Sequence, residues 1–171
     1  MVLRMTGQEA WTDPVAFAAG TTIAGVALDP VTNLVASTST VITVTAAVHS
    51  GRQVILNSTH TTTVTLPAST GGGDIYTFRV GVTGTDGSKI IQVANSTDII
   101  QGASIAANTQ STTIGFLTSA TSDTVTMNNT TSGGLLGSVV QLIDIAVGKY
   151  LGQVFTITTG NPTTPWSAAV P

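Results

Sequence analysis

The sequence predicts an all-β protein, a β-sandwich or jelly-roll-like barrel preceded by an extended N-terminal arm. Three observations carry this. Thr, Val and Ile are abundant while Lys, Glu, Asp and Arg together make up only 8% of the chain, and β-branched residues favour strands where charged helix formers favour helices. From Val41 onward, short runs of alternating polar and apolar residues recur at roughly ten-residue spacing, the signature of a sandwich or small barrel. Gly, with 18 residues, and Pro, with 6, punctuate those runs where turns need them.

Residues 1–40 form the expected arm. They carry Pro14, Pro30 and scattered apolar residues without a sustained period of 2 or 3.6. Asp13-Pro14 sets an N-cap and first-turn pair for one helical turn over Val15–Ala19. Fully stretched, the arm reaches on the order of 130 Å. A frayed terminus is the alternative, but the apolar content argues against disorder, which is normally polar and charged.

The body is expected over residues 41–171. Val41–Val48 alternates as a strand and His49-Ser50-Gly51 turns. Strands follow at 52–57 (RQVILN) and 62–66 (TTVTL), with Pro67 and the Gly-rich 69–74 loop after them. Over 75–80, Tyr76, Phe78 and Val80 face one way and Ile75, Thr77 and Arg79 the other. Asp86-Gly87 signals a hairpin with Lys89–Ala94 returning. Short strands are expected near Ile99, at Ser104–Ala107 and at Thr112–Leu117. Further strands follow at 123–128, at the apolar run 139–145 and at 149–159, and an extended tail carries Pro165 and Trp166.

With 171 residues and a net charge of −3, the chain has room for one core and an added arm. Arg4, Arg52, Arg79, Lys89 and Lys149 are dispersed, so no basic stripe offers a nucleic acid its electrostatic footprint. Cysteine is absent, which removes disulfides, thiolate metal sites and cysteine nucleophiles. The stretch Val15–Leu28 is short and broken by Gly20 and Gly25, so no membrane span is expected. Arg4 is followed too soon by Glu9 and Asp13 for a signal peptide. A surface this poor in charge is weakly protected against association and suits an assembly.

The residues do not assemble a recognisable reaction centre. His49 and His60 lie at or near turns, where a lone histidine is normally solvated. There is no H-E-x-x-H, no G-x-S-x-G and no calcium loop. Glu9 is the sole glutamate, and the aspartates sit at turns and strand starts, where aspartate normally bonds its own backbone. Asp144, inside the run VVQLIDIA, is expected to face outward; the alternative is burial with hydrogen bonds, because a bare buried carboxylate is costly. Gly71-Gly72-Gly73 lacks the G-K-[ST] of a phosphate loop and reads as a flexible hairpin loop. The N-x-[ST] triplets at 57, 95 and 129 arise readily in a chain this rich in Thr and Ser. No catalytic, cofactor or metal residue is therefore assigned. The candidate interface residues are Trp11, Phe17 and Leu28 in the arm and Trp166 in the tail, with a core plug as the other reading of Trp166.

The stretches GRQVILN (51–57), TVTLPASTGGGDIYTFRVG (63–81), STDIIQG (96–102), TSDTVTMN (121–128) and GSVVQLIDIAVGKYLGQV (137–154), with TGNPTTPWS (159–167), resemble a family of small structural proteins of tailed bacteriophages, including cyanophages. The resemblance covers about residues 45 to 168 and rests on strand-and-turn motifs, not on catalytic residues. It implies a non-enzymatic head decoration, or cement, protein: a β-rich homotrimer made in the host cytoplasm. Such a protein sits on the outer surface of the virion capsid across junctions of the major capsid protein. No cofactor, nucleic acid or membrane partner is implied. The competing class is a receptor- or carbohydrate-binding module of a head fibre or tail fibre, also Thr- and Gly-rich; an enzyme is the remotest class.

Overall fold

The computed structural model describes residues 33–171 and two short strands before them, β1 (Thr22–Ile23) and β2 (Val26–Ala27). The chain divides into two units, Met1–Val31 and Thr32–Pro171. In the first, β1 and β2 pair antiparallel, Thr22 with Ala27 and Ile23 with Val26. Of the expected arm, residues 1–40, these two strands and residues 33–40 are described; the rest, with Val15–Ala19, lies outside the described residues.

The second unit is an all-β sandwich of a seven-stranded and a five-stranded sheet. Its first six strands alternate between the sheets. Strands β3 (Leu34–Ser37), β5 (Gln53–Leu56) and β7 (Ile75–Val80) enter the larger sheet, and β4 (Val41–Thr43), β6 (Thr62–Thr65) and β8 (Lys89–Gln92) the smaller. Within each sheet these strands run parallel, with Leu34 beside Gln53 and Gln53 beside Thr77, and with Val41 beside Thr63 and Thr63 beside Ile90. Parallel neighbours need a long crossover, and here each crossover is a strand of the opposite sheet. The result is a flattened parallel spiral, not the antiparallel double Greek key of a jelly roll.

Strands mostly antiparallel to their neighbours then complete both layers. Strand β9 (Ile99–Asn108) forms a hairpin with β10 (Thr113–Leu117), β11 (Thr124–Met127) pairs with β8, and β12 (Val139–Ala146) pairs with β7. Strand β13 (Lys149–Thr158) fits between β12 and β9, antiparallel to the first and parallel to the second, and β14 (Trp166–Ser167) closes the smaller sheet against β11.

Several local expectations change with this topology. The body reaches back to Leu34, ahead of the expected boundary at residue 41. The run Val41–Val48 is not one strand: after β4 the helix formers Ala46 and Ala47 break the alternation, and Ala46–His49 makes a single helical turn, α1. Asp86-Gly87 does turn the chain, with Gly87 at φ +78 where a Cβ would overlap the Thr61 hydroxyl. It does not close a hairpin, because β7 and β8 belong to different sheets. The separate strands expected near Ile99 and Ser104 are one strand, β9. Gly102 at its centre is no break; it lets β9 approach Gly152 of β13, whose carbonyl a Cβ would strike.

The core is two facing ladders read directly from register. In the larger sheet Val35, Val54, Phe78, Val140 and Val154 are successive inward neighbours; in the smaller, Ile42, Val64, Ile91, Val125 and Trp166 are. Apart from Val35, which is partly buried, all belong to one hydrophobic cluster. The alternation expected over 75–80 holds, with Tyr76, Phe78 and Val80 buried.

Candidate interaction face

The interior is stapled by polar side chains that reach across the fold. Asp144 is buried, against the expectation that it faces outward. Thr70 donates its N–H to both carboxylate oxygens (3.1 and 2.9 Å) and its hydroxyl to Oδ2 (2.9 Å), and Gly71 and Gly72 donate N–H groups at 2.7 and 3.3 Å. The Gly-rich loop is thus a concave nest of N–H groups filled by the chain's own carboxylate. It links β6 to β7 across the two sheets, so the hairpin expected there is absent. Burial pushes the Asp144 carboxyl up, but the bonds from Thr70, Gly71 and Gly72 outweigh it and hold the group below its ordinary 3.8.

Two other aspartates work the same way. Asp98 accepts the Ser69 N–H (2.9 Å) and the Asn95 amide (3.0 Å), and Asp123 accepts the N–H groups of Ala169 (2.8 Å) and Val170 (3.3 Å), clamping the C-terminal tail. Both keep a local partner, Asn95 for Asp98 and Thr124 for Asp123, and add bonds to chain segments far away in sequence. Lys89 is fully buried, its ammonium donating to the Ser58 carbonyl, the His60 carbonyl (2.8 Å) and the Thr62 hydroxyl (3.3 Å). Desolvation lowers its pKa from the ordinary value, with the nearby Asp86 charge opposing. Tyr76 and Tyr150 meet edge to face at 6.4 Å. Burial, followed by Asp74 and Asp144, pushes Tyr76 up to about 12; burial also raises Tyr150, whose hydroxyl donates to the Pro67 carbonyl at 2.8 Å.

The histidines part company. His49, expected to be solvated, is buried at the end of α1 and accepts the Thr45 N–H at 3.1 Å, whereas His60 is exposed and pairs with Asp86 at 2.7 Å. Among the described residues no group of three or more His, Asp or Glu side chains is placed to hold a metal ion.

Of the candidate interface residues, Trp11, Phe17 and Leu28 lie outside the described residues. Trp166 ends the inner ladder of the smaller sheet, 7% exposed, with its ring over Gly152 and its indole N–H lacking a partner. That burial matches the core-plug reading.

The residues that do form a coherent surface lie on the outer face of the seven-stranded sheet. Because side chains alternate, register places them in rows. One row runs Ile55, Arg79, Val139, Phe155, Ile105; the next runs Gln53, Thr77, Gln141, Gln153, Ala103, Leu117; a third runs Ile75, Ile143, Leu151, Gln101. Phe155 is 44% exposed, Ile105 50% and Leu117 80%. The charged members of this face are Arg79 and, at the start of β13, Lys149. Between the first two rows lies a shallow depression of about 270 Å³ bounded by Arg79, Val139, Gln141, Gln153 and Phe155.

Sequence reasoning did not find this face. The available signal was that β12 and β13 carry apolar residues at outward as well as inward positions (Ile143, Ile145, Leu151, Phe155, Ile157), which a half-solvated sheet avoids. No family model, curated protein or solved structure matches the chain.

Proposed function

We propose that the chain is a structural protein of a tailed-phage head. In this reading it is a decoration, or cement, protein that binds the outer surface of the capsid across junctions of the major capsid protein and stabilises the expanded shell. The observation that carries the reading is the outer face of the seven-stranded sheet, where apolar and amide side chains occupy three successive rows. Five strands at ~4.8 Å spacing and three rows at ~6.8 Å spacing give it an area of roughly 500 Å². Apolar rows, Ile55, Val139, Phe155 and Ile105 on one side and Ile75, Ile143 and Leu151 on the other, flank the amide row of Gln53, Gln141 and Gln153, and such a mix of apolar and hydrogen-bonding groups is the ordinary make-up of a protein interface. The resemblance of residues 45–168 to phage head proteins points the same way.

The mechanics follow from binding linkage. A protein that binds the expanded shell and not the separated subunits stabilises the shell by mass action. A face of this size falls below the ~800 Å² per partner of a standard stable interface, so one copy grips weakly. Three copies joined as a homotrimer and seated across a junction gain avidity of roughly 10² or more over a single contact. The buried carboxylate and ammonium staples hold the loops of the body, so little conformational entropy is lost when the face docks.

The test is a challenge experiment on phage particles with and without this protein. The proposal expects particles lacking it to release DNA at lower temperature, and added protein to restore the wild-type release temperature. Identical release temperatures would refute it.

A further inference from the structure

We propose that the depression beside Arg79 is a carboxylate-recognition site, and that through it the outer face of the seven-stranded sheet docks on an apolar protein surface bearing carboxylates. This rests on the shell-binding reading above and adds which face is used and what chemistry the partner presents.

Arg79 stands on β7 with its Nε donating to Gln53 Oε1 at 2.7 Å. That bond fixes the plane of the guanidinium and leaves its two terminal nitrogens to form a fork, the geometry that binds a carboxylate through two parallel hydrogen bonds. The walls of the depression supply what such a guest needs. Phe155 and Val139 offer apolar contact for the stem of an acidic side chain, and the Gln141 and Gln153 amides offer further donors. Docking of an apolar surface over this shallow site excludes water from it, which strengthens the charge pairing.

The charge inventory identifies the partner. Among the described residues the single ion pair is His60–Asp86, so neither Arg79 nor Lys149 has a carboxylate of its own. The carboxylates of the described body are Asp74, Asp86, Asp98, Asp123 and Asp144. Each is engaged elsewhere: Asp74 by the Ser50 hydroxyl (2.6 Å), Asp86 by His60, and the others by the backbone and amide groups already described. The face therefore presents two cations and no anion. Set against the same face of a second copy, it brings together cations without a counter-charge. Two cations are also too few for a nucleic-acid backbone, where each neutralised phosphate adds its own increment. A carboxylate-bearing apolar protein surface answers both features.

The test uses expanded shells of the phage that encodes the chain, emptied of this protein, and measures occupancy against protein concentration at low and moderate salt. Arg79→Gln is expected to weaken binding at least tenfold at low salt and to flatten its salt dependence. Arg79→Lys, which keeps the charge and loses the fork, is expected to fall between. Gln153→Glu, which puts an anion into the depression, is expected to weaken binding by a similar factor. Arg79 and Gln153 are exposed, and an unchanged denaturation midpoint confirms that each variant is folded. Wild-type protein that occupies shells while Arg79→Gln and Gln153→Glu bind equally well leaves the shell-binding reading standing and overturns this site. Wild-type protein that binds no shell overturns both. Light scattering that shows Arg79→Gln dissociating the protein into smaller oligomers assigns the face to contacts between copies, and also overturns the proposal.

Discussion

Replacing Asp144 with Asn isolates the staple that ties the Gly-rich loop to the centre of the larger sheet. The wild-type carboxylate receives the Thr70 N–H and hydroxyl and the Gly71 and Gly72 N–H groups, the shortest at 2.7 Å. An amide of the same shape keeps one acceptor oxygen and turns an NH₂ toward the donors on the other side, leaving at least one buried N–H without a partner. Hydrogen bonds to a charged group are each worth about 1.5–3 kcal/mol and do not add independently. The bond from Gly72, at 3.3 Å, contributes least, and the variant no longer buries a charge. The expected net loss is about 2–4 kcal/mol at neutral pH, seen as a lower urea midpoint at unchanged slope. The sign with pH follows from the lowered carboxyl pKa. The contribution is complete above the unfolded-state value near 3.8 and disappears as pH falls through the lower folded-state value. Wild type and Asp144→Asn are therefore expected to converge below that range. Equal midpoints at pH 7, or a gap that persists undiminished at pH 2, would refute the reasoning.

Lys89→Met removes the buried ammonium and strands the Ser58 and His60 carbonyls, so a loss of about 1–3 kcal/mol at pH 7 is expected in urea unfolding. Because the folded-state pKa of Lys89 is lowered, wild type gains on the variant as pH rises through that value toward 10.5, which midpoints at pH 7 and pH 10 measure. Gly152→Ala places a Cβ 2.8 Å from the Ile100 Cγ2 methyl and 2.9 Å from the Trp166 ring. It is expected to cost about 1–3 kcal/mol by overpacking and to alter the near-ultraviolet circular dichroism of the tryptophan. Phe155→Thr and Ile105→Thr, on the outer face, are expected to shift stability by no more than about 0.5 kcal/mol while reducing occupancy on shells. Wild-type occupancy by both variants would count against the face.

How much of this was legible in the sequence depends on the range of the interaction. The β class, most strand positions and the two faces of 75–80 follow from period-2 alternation, a local property. The spiral connectivity was hidden because parallel pairing joins Leu34 to Gln53 and Gln53 to Thr77 without any repeated motif to mark the turns. Asp86-Gly87 read as a hairpin because a turn signal says that the chain reverses, not which sheet receives it. Asp144 read as outward-facing because its partners, Thr70 to Gly72, lie far away in sequence, and a lone carboxylate in an apolar run carries no label naming its donors. The outer face was missed for a related reason. Phe155 and Ile105 become neighbours only when β13 settles parallel to β9, and alternation alone cannot say that the outward residues of both strands are apolar together. Trp166, beside Pro165 in the tail, reads from sequence as either an interface anchor or a core plug, and only the register of β14 places it at the end of a core ladder.

The proposed role, holding shell subunits together, is decided by an image reconstruction of the mature phage head with the protein located in it. Density is expected for the two-sheet body on the outside of the capsid, over junctions between major capsid subunits, with the seven-stranded sheet turned toward the shell. Density confined to the tail, or heads that carry no copy of the protein, would contradict it.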